Sequence, residues 1–470
     1  MYGTLGKTRH VHLIGIGGAG MSAIAEVLLD KGFYVSGSDL AESDVTRRLE
    51  RRGAKVFVGH NRTNIQGADV IVHSSAVRPD KNEEVSEACA KQIPVIKRDE
   101  MVGELMRYKA GICVAGTHGK TTTTTMIGMM LEECGARPTV MIGGVSDYFK
   151  GSAVVGKGDY MVIEADEYDR AFLKLTPTIA VITTLEAEHL DTYKDLDDIK
   201  QCFVQFANAV PFYGAVVCCI DEPEIAAIQE RLNRRVITYG TSPDASVRGI
   251  DIVFGGNGST CKVVQFGETI GELKLNVPGL HNIKNALAAV TVGLELGLKF
   301  SQIQKALEGF GNVRRRFQVK YQEDGKNGPM VIDDYAHHPT EVRATLDAAR
   351  TGWPERRLVA VFQPHLYSRT KSFHHEFGSA LAIADEVFVT DVYPAREDKN
   401  NFPGVTGMLV AEAVVKAGQE KIAYIPDREA LIERLVREAM QGKMIVMMGA
   451  GDITNAANEV VSKLKMERGQ

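Results

Sequence analysis

Apolar residues in this chain come in short pulses rather than long runs. Residues 11–16 read as a buried strand, the glycines at 15, 17, 18 and 20 as a turn, residues 21–31 carry helical spacing that stops at Gly32, and residues 34–38 form a second strand. That is one βαβ unit. Further pulses at 55–58, 70–73 and 95–96 extend the alternation to residue 107. The pattern restarts at 110–115, where a strand enters a second glycine loop and a threonine-rich helix start, and continues with strands at 160–164, 179–183, 215–220 and 236–239. Residues 246–276 alternate instead, with turns at Gly255-Gly256-Asn257-Gly258 and at Gly267, which predicts antiparallel hairpins. A helix is expected over 282–296. Beyond the basic cluster Arg314-Arg315-Arg316, read as a hinge, βα alternation resumes with strands at 331–333, 358–362, 387–390 and 444–448.

The expectation is an α/β protein of three domains. Residues 1–107 form a Rossmann-like N-terminal domain, 108–313 a central P-loop-type ATPase domain with a mainly parallel sheet, and 314–470 a C-terminal Rossmann-like α/β domain. A length of 470 residues suits that division. The net charge of −5 leaves no electrostatic footprint for nucleic acid. Seven cysteines, an odd number without a CxxC pair, fit a reduced cytoplasmic chain. Lys7 and Arg9 precede an apolar stretch, but glycines interrupt it as they would no signal peptide, and no run approaches the roughly 18 apolar residues of a membrane span.

Glycine, at 46 residues, exceeds the average share, and two of the glycine loops carry chemistry. Gly15-x-Gly17-x-x-Gly20 sits between strand and helix, with Asp39 at the end of the next strand. Missing side chains let backbone N–H groups and the helix's positive end meet a pyrophosphate, and any diphosphate nucleotide satisfies that geometry. The second loop, Gly116-Thr117-His118-Gly119-Lys120-Thr121, has two residues rather than four between its glycines. It keeps the logic of a phosphate cradle: backbone donors, a lysine aimed at the β and γ phosphates, and a hydroxyl for Mg²⁺. Glu164, Asp166 and Glu167 close a later strand, and Glu188-His189-Leu190-Asp191 follow the next, so Lys120, Glu164 and His189 should converge above the sheet as an ATP and Mg²⁺ site. An NAD-dependent oxidoreductase would explain the first loop but leave the second without a purpose. A catalytically silent nucleotide-binding regulator is the other reading.

These residues resemble the Mur ligases of bacterial cell-wall synthesis over nearly the whole chain. The resemblance is carried by Gly15-Ile16-Gly17-Gly18-Ala19-Gly20-Met21, His73-Ser74-Ser75-Ala76-Val77, the loop at 116–124, Glu164-Ala165-Asp166-Glu167, His189-Leu190-Asp191-Thr192-Tyr193, Gly279-Leu280-His281-Asn282-x-x-Asn285-Ala286, Arg315-Arg316-Phe317, Asp333-Asp334-Tyr335-Ala336-His337-His338-Pro339-Thr340-Glu341 and Phe362-Gln363-Pro364-His365. It implies an ATP-dependent ligase that joins the lactyl carboxylate of UDP-N-acetylmuramate to L-alanine through an acyl phosphate. A ligase adding a preformed peptide to the same nucleotide is the rival within the family.

The resemblance also assigns roles. Gly15, Gly17, Gly18, Ala19, Gly20, Met21, Asp39, Ser74, Ser75 and Arg315 would serve the UDP-sugar. Gly116, Thr117, His118, Gly119, Lys120, Thr121, Thr122, His281, Asn282, Asn285 and Arg316 would serve ATP, and Thr121, Glu164 and His189 would hold Mg²⁺. Tyr335, His337, His338, His365 and Arg369 would line the amino-acid end, with His118 facing the same substrate. Lys120, His118, His337, His338, His365 and Arg369 are the catalytic candidates. One of His337, His338 and His365 would take a proton from the alanine ammonium. Several sister ligases bear a carbamylated lysine fourteen or fifteen residues past the metal-binding histidine; Phe203 and Val204 stand there, so no carbamate is expected. Partners are small molecules only, with no nucleic acid or membrane, and the chain is expected to be a monomer or weak homodimer. Closure near Arg315 would assemble the site.

Overall fold

A computed structural model describes residues 5–74, 77–188, 192–311, 313–323 and 328–468. The chain forms two compact units: Met1–Asp251 with Cys261–Lys274 and Lys284–Gly311, and Ile252–Thr260 with Leu275–Ile283 and Asn312–Gln470. It contains three sheets.

In the first unit, strands β1 (His10–Ile14), β2 (Tyr34–Asp39), β3 (Lys55–Val58), β4 (Val70–His73) and β5 (Val95–Lys97) pair in parallel in the order β3-β2-β1-β4-β5. Helices α1 (Ala19–Asp30), α2 (Asp44–Arg51), α3 (Glu83–Ala90) and α4 (Arg98–Met106) connect or follow them. The strand order reverses between β1 and β4, which places the first glycine loop and Ser74 at a topological switch point, where such sheets open a crevice.

A second sheet contains β6 (Ala110–Ala115), β7 (Thr139–Ser146), β8 (Gly151–Val154), β9 (Tyr160–Glu164), β10 (Ile179–Ile182), β11 (Ala215–Cys219), β12 (Val236–Gly240), β13 (Val247–Gly255), β14 (Gly258–Gln265) and β15 (Glu268–Leu275), in the order β15-β14-β13-β12-β11-β10-β6-β9-β7-β8. Pairing from β13 through β7 is parallel, and β7 with β8 is antiparallel. Its helices are α5 (Lys120–Glu133), α6 (Leu196–Asn208), α7 (Pro223–Ile228), α8 (Leu280–Glu295) and α9 (Phe300–Glu308). Five consecutive threonines, Thr121 to Thr125, open α5 despite their poor helix propensity, because all five are buried and Thr125 returns its hydroxyl to Thr121 O at 2.7 Å. β6 lies between β9 and β10, so the carboxyl ends of all three stand side by side.

In the second unit, β16 (Gln318–Gln322), β17 (Met330–Asp334), β18 (Leu358–Phe362), β19 (Glu386–Val389), β20 (Ile422–Tyr424) and β21 (Met444–Met448) pair in the order β16-β17-β21-β18-β19-β20, parallel except for the β16 edge. Helices α10 (Pro339–Gly352), α11 (Tyr367–Leu381) and α12 (Gly407–Lys416) build the core on one face, and α13 (Arg428–Met440) and α14 (Ile453–Glu467) build that on the other. Among the described residues no helix is long and apolar enough to cross a membrane.

Under the first sheet lies a polar network the sequence did not announce. Glu84, fully buried, accepts from Ser38 Oγ at 2.6 Å and Asn64 Nδ2 at 2.7 Å, and lies 3.6 Å from the ring of the equally buried His12. Burial pushes its pKa up, but hydrogen bonding by His12, Ser38 and Asn64 more than offsets this, and the carboxyl titrates below its ordinary value. Its stabilising contribution is in force above the unfolded-state pKa and disappears as pH falls through the folded-state value. Glu84→Gln is expected to lower Tm at neutral pH and to shrink the loss of Tm on acidification. A variant whose melting keeps the wild-type pH dependence would contradict this.

Candidate active site

The second glycine loop leaves β6 at Gly116 and enters α5 at Gly119, both with positive φ, +140° and +80°. A Cβ on Gly119 would lie 2.6 Å from Asn285 Oδ1, which accepts from Thr123 Oγ1 at 3.1 Å. The neighbouring strand end fastens the loop: His118 N donates to Thr184 Oγ1 at 2.7 Å, Thr183 Oγ1 donates to His118 O at 2.5 Å, and Glu186 N donates to Thr117 Oγ1 at 2.9 Å. His118 Nε2 lies 3.5 Å from Glu186.

Lys120 folds back over this loop. Its Nζ donates to Gly116 O at 2.6 Å, Thr117 O at 3.1 Å and Glu167 Oε1 at 2.9 Å. Burial works against its charge, but the carboxylates of Glu167, Asp166 and Glu164 outweigh burial and raise its pKa, so the ammonium is permanent. Thr121 Oγ1 donates to Glu164 Oε1 at 3.0 Å, and Glu164 Oε2 accepts from Gly143 N at 2.7 Å. A hydroxyl and a carboxylate at that spacing are hard oxygen donors of the kind Mg²⁺ takes. The third expected ligand, His189, lies outside the described residues.

At the first loop, Gly15 has φ +80° and Gly15 N and Ile16 N both donate to Ser38 O, at 2.8 and 3.1 Å. Asp39 clamps the loop rather than facing outward only: one oxygen accepts from Gly17 N and the other from Leu40 N, each at 2.8 Å. α1 begins at Ala19 after Gly18, with Gly20 and Met21 in its first turn, no side-chain cap and no acidic residue there, so its positive end is uncompensated. A Cβ on Gly15 would lie 3.1 Å from Ser74 Oγ. Ser75 lies outside the described residues.

The C-terminal cluster gathers at the ends of β17, β21 and β18. Arg315 Nη2 donates to Gly449 O at 2.5 Å and Gly451 O at 3.2 Å, and its guanidinium lies over the Tyr335 ring at 4.8 Å. Arg316 lies over the same ring at 5.4 Å and pairs with Glu341 at 3.4 Å. Glu341 Oε2 accepts the backbone N–H of His337 at 3.0 Å and of His338 at 3.3 Å, fixing the turn into α10. His337 Nδ1 faces Tyr335 O at 3.0 Å and Glu341 Oε2 at 3.1 Å. The His338 ring packs on Phe373 at 5.2 Å, and His365 stacks on Tyr393 at 5.8 Å. Burial pushes the pKa of His365 down to about 3, with the charges of His337, Arg369, Arg396 and Arg315 adding to the effect.

Family models match three consecutive segments: the Mur ligase family catalytic domain over residues 10–110, the Mur ligase middle domain over 114–293, and the Mur ligase glutamate ligase domain over 315–451. The chain belongs to the Mur ligase family. Among curated relatives, the UDP-N-acetylmuramate–L-alanine ligase of Chlorobium luteolum is 57% identical over 464 residues, covering 98% of each chain. Its namesake in Chlorobaculum tepidum is 59% identical over 453 residues, covering 96% of this chain and 95% of the relative. Among solved structures, UDP-N-acetylmuramate-alanine ligase from Thermotoga maritima matches with a TM-score of 0.82 at 29% identity, covering 97% of this chain and 99% of that one. A murein peptide ligase from Psychrobacter arcticus shares the fold, with a TM-score of 0.69 at 23% identity over 97% of this chain and 98% of its own.

In this Mur ligase the expected residues fall into separate groups. Gly116, Thr117, His118, Gly119, Lys120, Thr121, Thr122, Glu164 and Asn285 stand together. The expected adenine-side residues His281, Asn282 and Asn285 share the first turns of α8, where Asn285 reaches the loop and Asn282 Nδ2 donates to Pro278 O at 2.7 Å. Phe203, where sister ligases place the carbamylated lysine, is buried against Phe172, and Lys200 pairs with Glu224. Sequence reasoning missed Tyr393, the platform of His365, and Arg98, whose partners are described below. Both lie in segments without glycine punctuation, and the adjacent basic pair Lys97-Arg98 at a strand end was the only available signal for the second.

Proposed function

We propose that this Mur ligase joins L-alanine to the lactyl carboxylate of UDP-N-acetylmuramate at the expense of ATP, in the cytoplasm, as a monomer or weak homodimer, supplying a peptidoglycan precursor. The 57% and 59% identity to the Chlorobium and Chlorobaculum ligases over nearly the whole chain carries this reading. The arrangement of Lys120, Thr121, Glu164 and Glu167 supports it, because joining a carboxylate to an amine in water requires turning one carboxylate oxygen into a leaving group.

The lactyl carboxylate attacks the γ phosphate, giving an acyl phosphate and ADP, and the alanine amine then displaces phosphate through a tetrahedral intermediate. Lys120, a permanent cation in the loop, meets the charge spread over the phosphoryl oxygens. Thr121, Glu164 and His189 would hold Mg²⁺, which would neutralise phosphate charge when bound. The first loop, with the α1 N-terminus, holds the nucleotide's diphosphate, with Ser74 beside it. Alanine arrives as an ammonium ion and must lose a proton. His365, neutral at any working pH, is a poor acceptor and suits a positioning role, with Tyr335, His338 and Arg369 around the amino acid. His337 suits the task better: its Nδ1 lies between two acceptors, Tyr335 O and Glu341, and so carries the ring proton, leaving the Nε2 lone pair to accept.

The test is phosphate release from ATP with UDP-N-acetylmuramate and a panel of L-alanine, glycine, L-serine and the tripeptide. L-Alanine should be fastest, by the about 1 to 3 kcal/mol that one small group is worth in a pocket. Release with tripeptide and none with L-alanine would replace this reading by a peptide-adding one.

A further inference from the structure

The segment that follows β9 divides its carboxylates between two loops. Glu164 and Glu167 serve the second glycine loop through Thr121 and Lys120. Asp166 and Asp169, from the same seven residues, pair instead with the start of α4: Arg98 Nη2 donates to Asp166 Oδ2 at 3.1 Å, and Lys97 Nζ to Asp169 Oδ2 at 2.6 Å. Asp169 and Arg170 hold left-handed φ values of 53° and 57°, so the segment follows a specified path rather than a relaxed one.

Arg98 also touches the first loop. Its side chain runs across the opening turn of α1, where a Cβ on Gly20 would lie 2.9 Å from Nη1 and 3.1 Å from Cδ. The third glycine of the first loop is therefore small to let an arginine pass. The guanidinium has one nitrogen on Asp166 and another beside the uncapped N-terminus of α1.

We propose that Arg98 is a positioning residue that couples the two nucleotide cradles: an anion seated on the first loop shares its guanidinium with Asp166, stiffens the segment 164–170, and so presents Lys120 and Glu164 to ATP. This rests on the sugar-nucleotide reading of the first loop. The planar fork carries its donors on separate nitrogens in fixed directions, so Nη2 can stay on Asp166 while Nη1 meets the anion, a division that the single nitrogen of an ammonium does not preorganise. Linkage makes the effect reciprocal, each ligand tightening the other by the same factor.

The experiment is calorimetric titration of a non-hydrolysable ATP analogue, with Mg²⁺, into the full chain with and without saturating UDP-N-acetylmuramate. In the wild type the analogue should bind at least about fivefold tighter when the sugar nucleotide is present, and in Arg98→Met that ratio should fall to about one, with the affinity for analogue alone within about threefold of wild type. Asp166→Asn should lose the ratio as well, and the double variant should lose no more than either single one. Arg98→Lys, which keeps the cation, should retain only part of the ratio and serves if Arg98→Met fails to fold. An unchanged ratio in these variants overturns the proposal, because a purely structural arginine would alter stability or both affinities and leave their ratio alone. A wild type that binds the sugar nucleotide with a ratio of one refutes the coupling but leaves the proposed function standing. A wild type that does not bind it at all refutes both.

Discussion

Replacing Lys120 by alanine is expected to reduce kcat by at least about 10³-fold, since this cation sits in the phosphate-cradling loop and phosphoryl transfer asks mainly for positioning and charge. The measurement is steady-state phosphate release. Loss of fold is the competing explanation for such a loss, and it can be separated. Glu167, almost wholly buried, faces Lys120 at 2.9 Å, so the substitution strands a buried carboxylate and should cost about 3 kcal/mol or more in stability. Adding Glu167→Gln removes that charge. The double variant should regain much of the lost Tm and none of the lost turnover. Near-normal activity in Lys120→Ala, or recovery of activity along with Tm, would remove Lys120 from the chemistry.

Gly116→Ala should be nearly as damaging through the backbone alone. A Cβ there would lie 2.1 Å from Thr183 Oγ1 and 2.9 Å from Thr184 N, and the residue holds φ +140°. Thr183 and Thr184 are the groups that fasten His118, so the added methyl pushes the end of β10 away from the loop. The expected cost is about 2 to 4 kcal/mol, combining strain and overpacking, with loss of measurable ATP-analogue binding in calorimetry. Gly32→Ala is the control: φ is +81° but nothing lies within 4 Å of the added carbon, so only about 1 kcal/mol of backbone strain should appear, with ATP-analogue binding intact. Equal behaviour of the two variants would mean that contact at Gly116 does not matter.

The sheets were readable where burial is complete on both faces. β4, β18 and β21 begin and end where the apolar pulses do, because a parallel strand covered on both sides has no polar positions to blur its ends. The hairpins after residue 246 were readable from alternation. What escaped notice was the half-covered edge: β7 and β8, whose run Ile142-Gly143-Gly144 carries no period, the mixed β16, and the three-residue β20. The same division holds for the site. Glycine loops and carboxylates at strand ends announce themselves in one dimension, since a tight turn must have its glycine next to the strand. Arg98 does not, because its meaning comes from Gly20, 78 positions earlier, and Asp166, 68 positions later. The network around Glu84 likewise joins β1, β2 and α3, elements that only the fold brings together.

Helix α1 belongs to two sheets. It packs on β2 within the first and on β7 and β8 of the second, with Ser22 Oγ 3.3 Å from Ser152 Oγ and Glu26 buried beneath Arg48 and Arg52. An excised fragment ending near residue 107 would leave that second face, including Ser22, bare to water. The amino-terminal quarter is thus a module by topology yet not an autonomous folder, and grafting it onto another scaffold would require transplanting the β7–β8 hairpin with it.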